Sequence, residues 1–161
     1  MLDWISPELL SFIVFFGLVV AAAVFGGQWS SGSWYRMLRK PAWTPPDRLF
    51  PIAWTILYFM IAFAGWQIWE TPGEDTRLLL IVWGVQLLLN AFWSYIFFGR
   101  KQIGLALADI ALLWLAIAAF IILAWDINRV ASWLFVPYLL WVGYAAALNA
   151  TILARNPVHT R

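Results

Sequence analysis

Residues Ile103–Trp125 read IGLALADIALLWLAIAAFIILAW, an apolar run carrying one acid, Asp109, and no base. A helix needs ~20 residues to cross a ~30 Å hydrocarbon layer, so this segment is long enough to span a membrane. Working outward from it, four further runs of the same kind stand at Leu9–Gly27, Leu49–Trp69, Leu78–Phe98 and Val130–Ala154. Backbone groups in lipid must be paired within the segment, which favours helices; a β-barrel would instead show alternating segments of about ten residues. The expectation is an all-α integral membrane bundle of five transmembrane helices in a single domain, residues 1–161. The helices lie at about 9–27, 46–69, 78–98, 103–125 and 130–154, with a long structured loop at about 28–45 between the first and second.

Composition agrees: 64% of residues are hydrophobic and only 11% charged, against roughly 25% charged in a soluble domain. The absence of cysteine excludes disulfides, thiolate catalysis and Cys-based metal sites. The single histidine, His159, lies on a polar tail, so no metal site is expected. A net charge of +2, with no basic run interleaved with aromatics, gives no argument for nucleic acid as a partner.

The first run ends near Ala21-Ala22-Ala23, which resembles a signal-peptide cleavage region, but its leading segment holds Asp3 and Glu8 and no base, so it reads as a retained helix. Loop charges then orient the chain. Arg36, Arg39, Lys40 and Arg48 follow the first span, Arg100 and Lys101 the third, and Arg155 and Arg161 the fifth. The other side holds Arg77 and Arg129 beside Asp3, Glu8, Glu70, Glu74, Asp75 and Asp126. The positive-inside rule places the N-terminus outside and the C-terminus in the cytoplasm.

The segment Gln28–Arg48 is long for a connection within a compact domain. It carries Trp29, Trp34, Tyr35 and Trp43 with Pro41, Pro45 and Pro46. One reading is a lid over the end of the bundle; the other is a loop whose aromatics lie in the headgroup layer. At its end Thr44, Pro45 and Asp47 fit an N-cap, a first helical position and a capping-box acid, which starts the second helix near residue 46.

Thirteen tryptophans demand a reason. An interfacial belt accounts for Trp4, Trp29, Trp69, Trp125 and Trp133, not for Trp114 and Trp141 at mid-span, and poorly for Trp54, Trp83 and Trp93. A buried indole N–H normally has a partner. Helical spacing groups Trp54 with Tyr58 in the second span, Gln86, Asn90, Trp93 and Phe97 in the third, and Tyr138, Trp141, Ala145 and Asn149 in the fifth. Amides turned to lipid would be unpaired at a cost of a few kcal/mol each, so these stripes should face one another, as interhelical packing or as the wall of a cavity. Pro137 should loosen the fifth helix beside Tyr138 and widen the bundle there. Asp109, the only ionisable residue well inside a span, reads as a structural hydrogen-bonding group.

The runs WYRMLRKPAWTPP at residues 34–46 and FPIAWTILY at residues 50–58 resemble the tryptophan-rich sensory protein / translocator protein family, also called the peripheral-type benzodiazepine receptor family. QLLLNAFWS at residues 86–94, Ala108-Asp109, VPYLLW at residues 136–141 and Leu148-Asn149 extend the likeness over nearly the whole chain. The resemblance implies a five-helix bundle, commonly a homodimer, that binds protoporphyrin IX or haem, and in some members sterols and benzodiazepine-type drugs. It further implies ligand-binding roles for Tyr35, Trp54, Tyr58, Asn90, Trp93, Trp141 and Ala145. The family's sterol motif needs a base soon after a tyrosine in the fifth span, whereas after Tyr144 none occurs until Arg155.

The functional expectation is a membrane receptor for tetrapyrroles and similar flat apolar ligands, acting in sensing, sequestration or transport, with porphyrin as ligand and no tightly bound cofactor. The alternative is a light-dependent porphyrin-degrading enzyme, for which the resemblance makes Trp54 and Trp141 the catalytic residues. A carrier is disfavoured, because the sequence shows no two-halves repeat.

Overall fold

The computed structural model describes residues 6–29, 32–73 and 76–157. Readings that fall on Asp3, Trp4, Glu74, Asp75, His159 and Arg161 lie outside the described residues. The spans are α1 (Pro7–Gly27), α3 (Leu49–Glu70), α4 (Thr76–Ser94, prolonged by a π-helical turn at Tyr95–Gly99), α5 (Ile103–Ala124) and α6 (Arg129–Arg155); a short α2 (Ser33–Met37) lies between the first two. Among the described residues, five helices are thus long and apolar enough to cross a membrane, as the sequence predicts.

Their packing closes a ring: α1 touches α3 and α4, α3 touches α6, and α5 fills the place between α4 and α6. Buried side chains from all five spans form an apolar core in which Ile61, Ile117, Phe120 and Phe135 are fully buried, and a second cluster gathers Tyr35 and Leu38 with Phe97, Ile103, Leu148 and Ile152. Phe120 and Phe135 stack with centroids 4.0 Å apart, fixing α5 against α6. Where α3 meets α4, Gly65 makes room for the Trp83 ring, whose N–H donates to the Ile61 carbonyl at 2.9 Å.

The expected cap of the second span is a correction. Thr44 does not cap it: its hydroxyl donates back to the Pro41 carbonyl at 2.7 Å. The helix starts only at Leu49, and no side chain caps its N-terminus. Pro45 and Pro46 explain this, since each pushes the preceding residue away from helical geometry and neither has an N–H. Pro51, in the first turn, removes an N–H the helix would leave unpaired anyway.

The third span also ends differently from a plain α-helix. After Ser94 the chain widens into the π turn, closed by Arg100 N donating to the Tyr95 carbonyl at 2.8 Å. Lys101 then takes a left-handed conformation, φ 58°, which turns the chain into α5.

α6 runs on through Pro137, and Phe135 and Tyr138 on either side of it are fully buried.

The segment after Gly32 folds back on α6. Asn156 Nδ2 donates to the Arg39 carbonyl at 3.2 Å and its Oδ1 accepts from Arg39 N–H at 3.0 Å. Arg155 donates to the Lys40 carbonyl at 3.1 Å, and the Tyr144 hydroxyl donates to that of Trp43 at 2.7 Å.

A lined cavity and its polar floor

The stripes read from helical spacing converge. Tyr58 and Trp54 stack on α3 with centroids 5.4 Å apart, and Trp54 meets Tyr138 of α6 edge-on. From the Tyr58 hydroxyl a chain of hydrogen bonds runs inward. It donates to Asn90 Oδ1 (3.1 Å), Asn90 Nδ2 donates to the Tyr138 oxygen (2.8 Å), and the Tyr138 hydroxyl donates to Gln86 Oε1 (2.9 Å). Three helices are tied by residues that would be costly to expose to lipid. One turn toward the connecting segment, Trp93 Nε1 donates to Asn149 Oδ1 at 3.2 Å, while Asn149 Nδ2 donates to the Ile103 carbonyl at 3.0 Å.

Beyond this polar floor, toward the α1–α3 connection, lies a cavity of about 350 Å³. All seven residues named from the sequence, Tyr35, Trp54, Tyr58, Asn90, Trp93, Trp141 and Ala145, line it. Gln86 and Tyr138 lie behind the wall and hold Asn90 in place. The volume falls within the ~300–1,000 Å³ of small-molecule sites, and a mostly apolar lining with few polar groups is their usual make-up. Among the described residues no group of three His, Cys, Asp or Glu is placed to hold a metal.

Sequence reasoning missed part of the wall. Ala23 and Gly26 of α1 contribute small surfaces, and the run of small residues at the end of the first span was the available signal. Phe98 lines the cavity beside Phe97; a regular helix would turn neighbouring residues about 100° apart, and the wider π turn brings both inward. Trp29 is a second correction: it lines the cavity, and its indole nitrogen is buried, not wetted at an interface. Asp47, expected in a capping box, stands at the cavity wall near Tyr35 instead. Burial first, and then the Asp47 carboxylate, push the Tyr35 phenol above its ordinary range, so it is a protonated donor at neutral pH. Lys40 lies 4.2 Å over the Tyr35 ring.

The remaining tryptophans sort by exposure. Trp69 and Trp133 face outward, as a belt requires, and Trp114 is also on the outer surface, near Gly143. Asp109 is buried on α5, but its Oδ2 has no hydrogen-bond partner, contrary to the bonding role expected of it.

The profile of the TspO/MBR family matches residues 12–155. The chain is 37% identical over 157 residues to Tryptophan-rich protein TspO of Chlorobaculum tepidum, covering 94% of this chain and 99% of that one. It is 35% identical over 152 residues to Protein CrtK of Rhodobacter capsulatus, covering 93% and 95%. With Translocator protein of Homo sapiens it shares 33% identity over 126 residues, covering 76% and 75%.

Proposed function

This chain belongs to the TspO/MBR family of membrane proteins, and on that premise we propose that it binds tetrapyrroles, protoporphyrin IX or haem, and similar flat apolar ligands for sensing, sequestration or transfer. The observation that carries this reading is the cavity itself: Trp54, Tyr58, Trp93 and Trp141 bring aromatic surfaces from three helices to one space. Flat ligands gain from such walls by stacking and by leaving water. Segment 32–48, fastened to α6 through Asn156, Arg155 and Tyr144, acts as the lid.

Charge supports how ligand arrives. Arg36, Arg39, Lys40, Arg48, Arg100, Lys101 and Arg155 all belong to the lid end, a bias that favours the approach of carboxylate-bearing molecules there and supports a cytoplasmic position for that end. The working form is a homodimer. Benzodiazepine-type drugs, flat and apolar, are proposed as secondary ligands of the same cavity, whereas sterol binding lacks the base its motif needs, since none follows Tyr144 until Arg155.

Titrating protoporphyrin IX into detergent-solubilised protein should quench tryptophan fluorescence saturably at micromolar ligand. The double variant Trp54→Phe, Trp141→Phe should weaken that binding, and an unchanged titration sinks the assignment.

A second reading is favoured by the same two tryptophans standing in one wall. An excited porphyrin converts dioxygen to singlet oxygen, both atoms of which can add across a bridging C=C bond of the ring and open it to two carbonyl groups; with Trp54 and Trp141 holding the ring for that step, the chain would be a light-dependent porphyrin-degrading enzyme. Under illumination in air, Soret absorbance should then fall faster with protein than in detergent alone; equal rates reject it.

A further inference from the structure

A cavity inside a bundle communicates with the outside where its lining reaches the surface. Among the described residues, three members of the lining are exposed, Gly27, Asp47 and Pro51, and the others are half-buried or buried. Gly27 ends α1, Asp47 precedes α3 and Pro51 lies in its first turn, so the mouth is bounded by the end of one span and the start of the next. A Cβ on Gly27 would meet no atom within 4 Å, which leaves that edge clear.

Asp47 is the one charged residue in this lining. The seven bases of the lid end all stand outside it, and none of them pairs with Asp47. Lys40 lies over the Tyr35 ring instead, and Arg155 donates to the Lys40 carbonyl. The Asp47 charge is felt within the wall, at the phenol of Tyr35, which is buried. A charge needs no aim, unlike a hydrogen-bond donor: it acts on an ion several Å away however the carboxylate is turned. A basic approach thus leads to an acidic edge.

We propose that Asp47 is a specificity-determining residue, whose carboxylate at the mouth of the cavity disfavours bound rings with carboxylates on the rim and favours those with neutral or cationic rims. The bases outside draw anions toward the lid end, and Asp47 decides which rings are held once seated. This inference rests on the ligand-binding function proposed above and adds to it a residue and a charge rule.

The test uses the full chain in detergent micelles and three porphyrins of one ring system. They are protoporphyrin IX, its uncharged dimethyl ester, and its bis-amide with N,N-dimethylethylenediamine, which carries two ammonium groups. Each ligand is titrated into wild type and into Asp47→Asn, so its partition into micelles cancels. Asp47→Asn should bind the acid roughly three- to tenfold more tightly and the diammonium ligand weaker by a similar factor, the size expected for charges several Å apart in a wet site. The ester should change less than about twofold. Raising the salt should shrink both differences. Opposite shifts for anion and cation are the signature of charge, since a merely structural effect would move all three ligands the same way. A common shift for all three, or no shift, overturns the inference while leaving porphyrin binding intact. If the wild-type protein binds none of them, the proposed function falls and this inference with it. Should Asp47→Asn fail to fold, Asp47→Ser removes the same charge, and the same three titrations decide the matter.

Discussion

Replacing Tyr138 by phenylalanine takes one oxygen out of the centre of the bundle and leaves the ring in place. That oxygen accepts from Asn90 Nδ2 and donates to Gln86 Oε1, at 2.8 and 2.9 Å, and its residue is wholly buried. Interhelical hydrogen bonds in membrane bundles average ~0.6 kcal/mol and reach ~1.7 kcal/mol. Here the loss should lie above the average, because both partners stay buried. Gln86 Nε2 already lacks a partner, so its whole amide would be left unbonded, and a stranded group costs about 1–3 kcal/mol. Tyr138→Phe should therefore destabilise the protein by about 2–3 kcal/mol. Reversible unfolding in mixed SDS and maltoside micelles, followed by far-ultraviolet ellipticity, measures it. The chain of bonds also predicts non-additivity: with Gln86→Leu already present, Tyr138→Phe should cost at least about 1 kcal/mol less, since the stranded amide is gone. A single-variant loss under about 0.5 kcal/mol, or strict additivity, would refute the view that this polar line holds α3, α4 and α6 together.

Gly65→Ala should destabilise by about 1–3 kcal/mol in the same assay, because overpacking a core forces its neighbours aside: a Cβ there would lie 2.5 Å from Trp83 Cε2 and 2.8 Å from Phe15 Cδ1. Asn156→Ala removes both bonds to Arg39, so amide hydrogen exchange at residues 33–44 should quicken severalfold while exchange in α5 stays unchanged; equal protection in both proteins would show that Asn156 does not fasten the lid. The chain has no cysteine, so Arg100→Cys and Arg77→Cys each give one labelling site. In sealed cells a membrane-impermeant maleimide should reach position 77 and not 100, and the reverse pattern overturns the proposed orientation.

Much of the molecule was legible in the sequence, because a bilayer imposes lengths that composition alone must satisfy: five runs near twenty apolar residues can do little else than span. Spacing also marked Trp54 with Tyr58, the Gln86 to Phe97 stripe and the Tyr138 to Asn149 stripe, since 3.6-residue periodicity decides which side chains share a face. Periodicity is blind to what faces that stripe. Only the closed order of helices turned those faces into one cavity, with Asn90 bonded to Tyr58 and Tyr138. The π turn that brings Phe98 beside Phe97 depends on a local hydrogen-bond shift that residue types do not announce. The same holds for Trp29: by sequence position it belonged at the interface, and only the tertiary structure, which packs its ring on Tyr95 and Gly99 and buries its indole nitrogen, made it part of the wall.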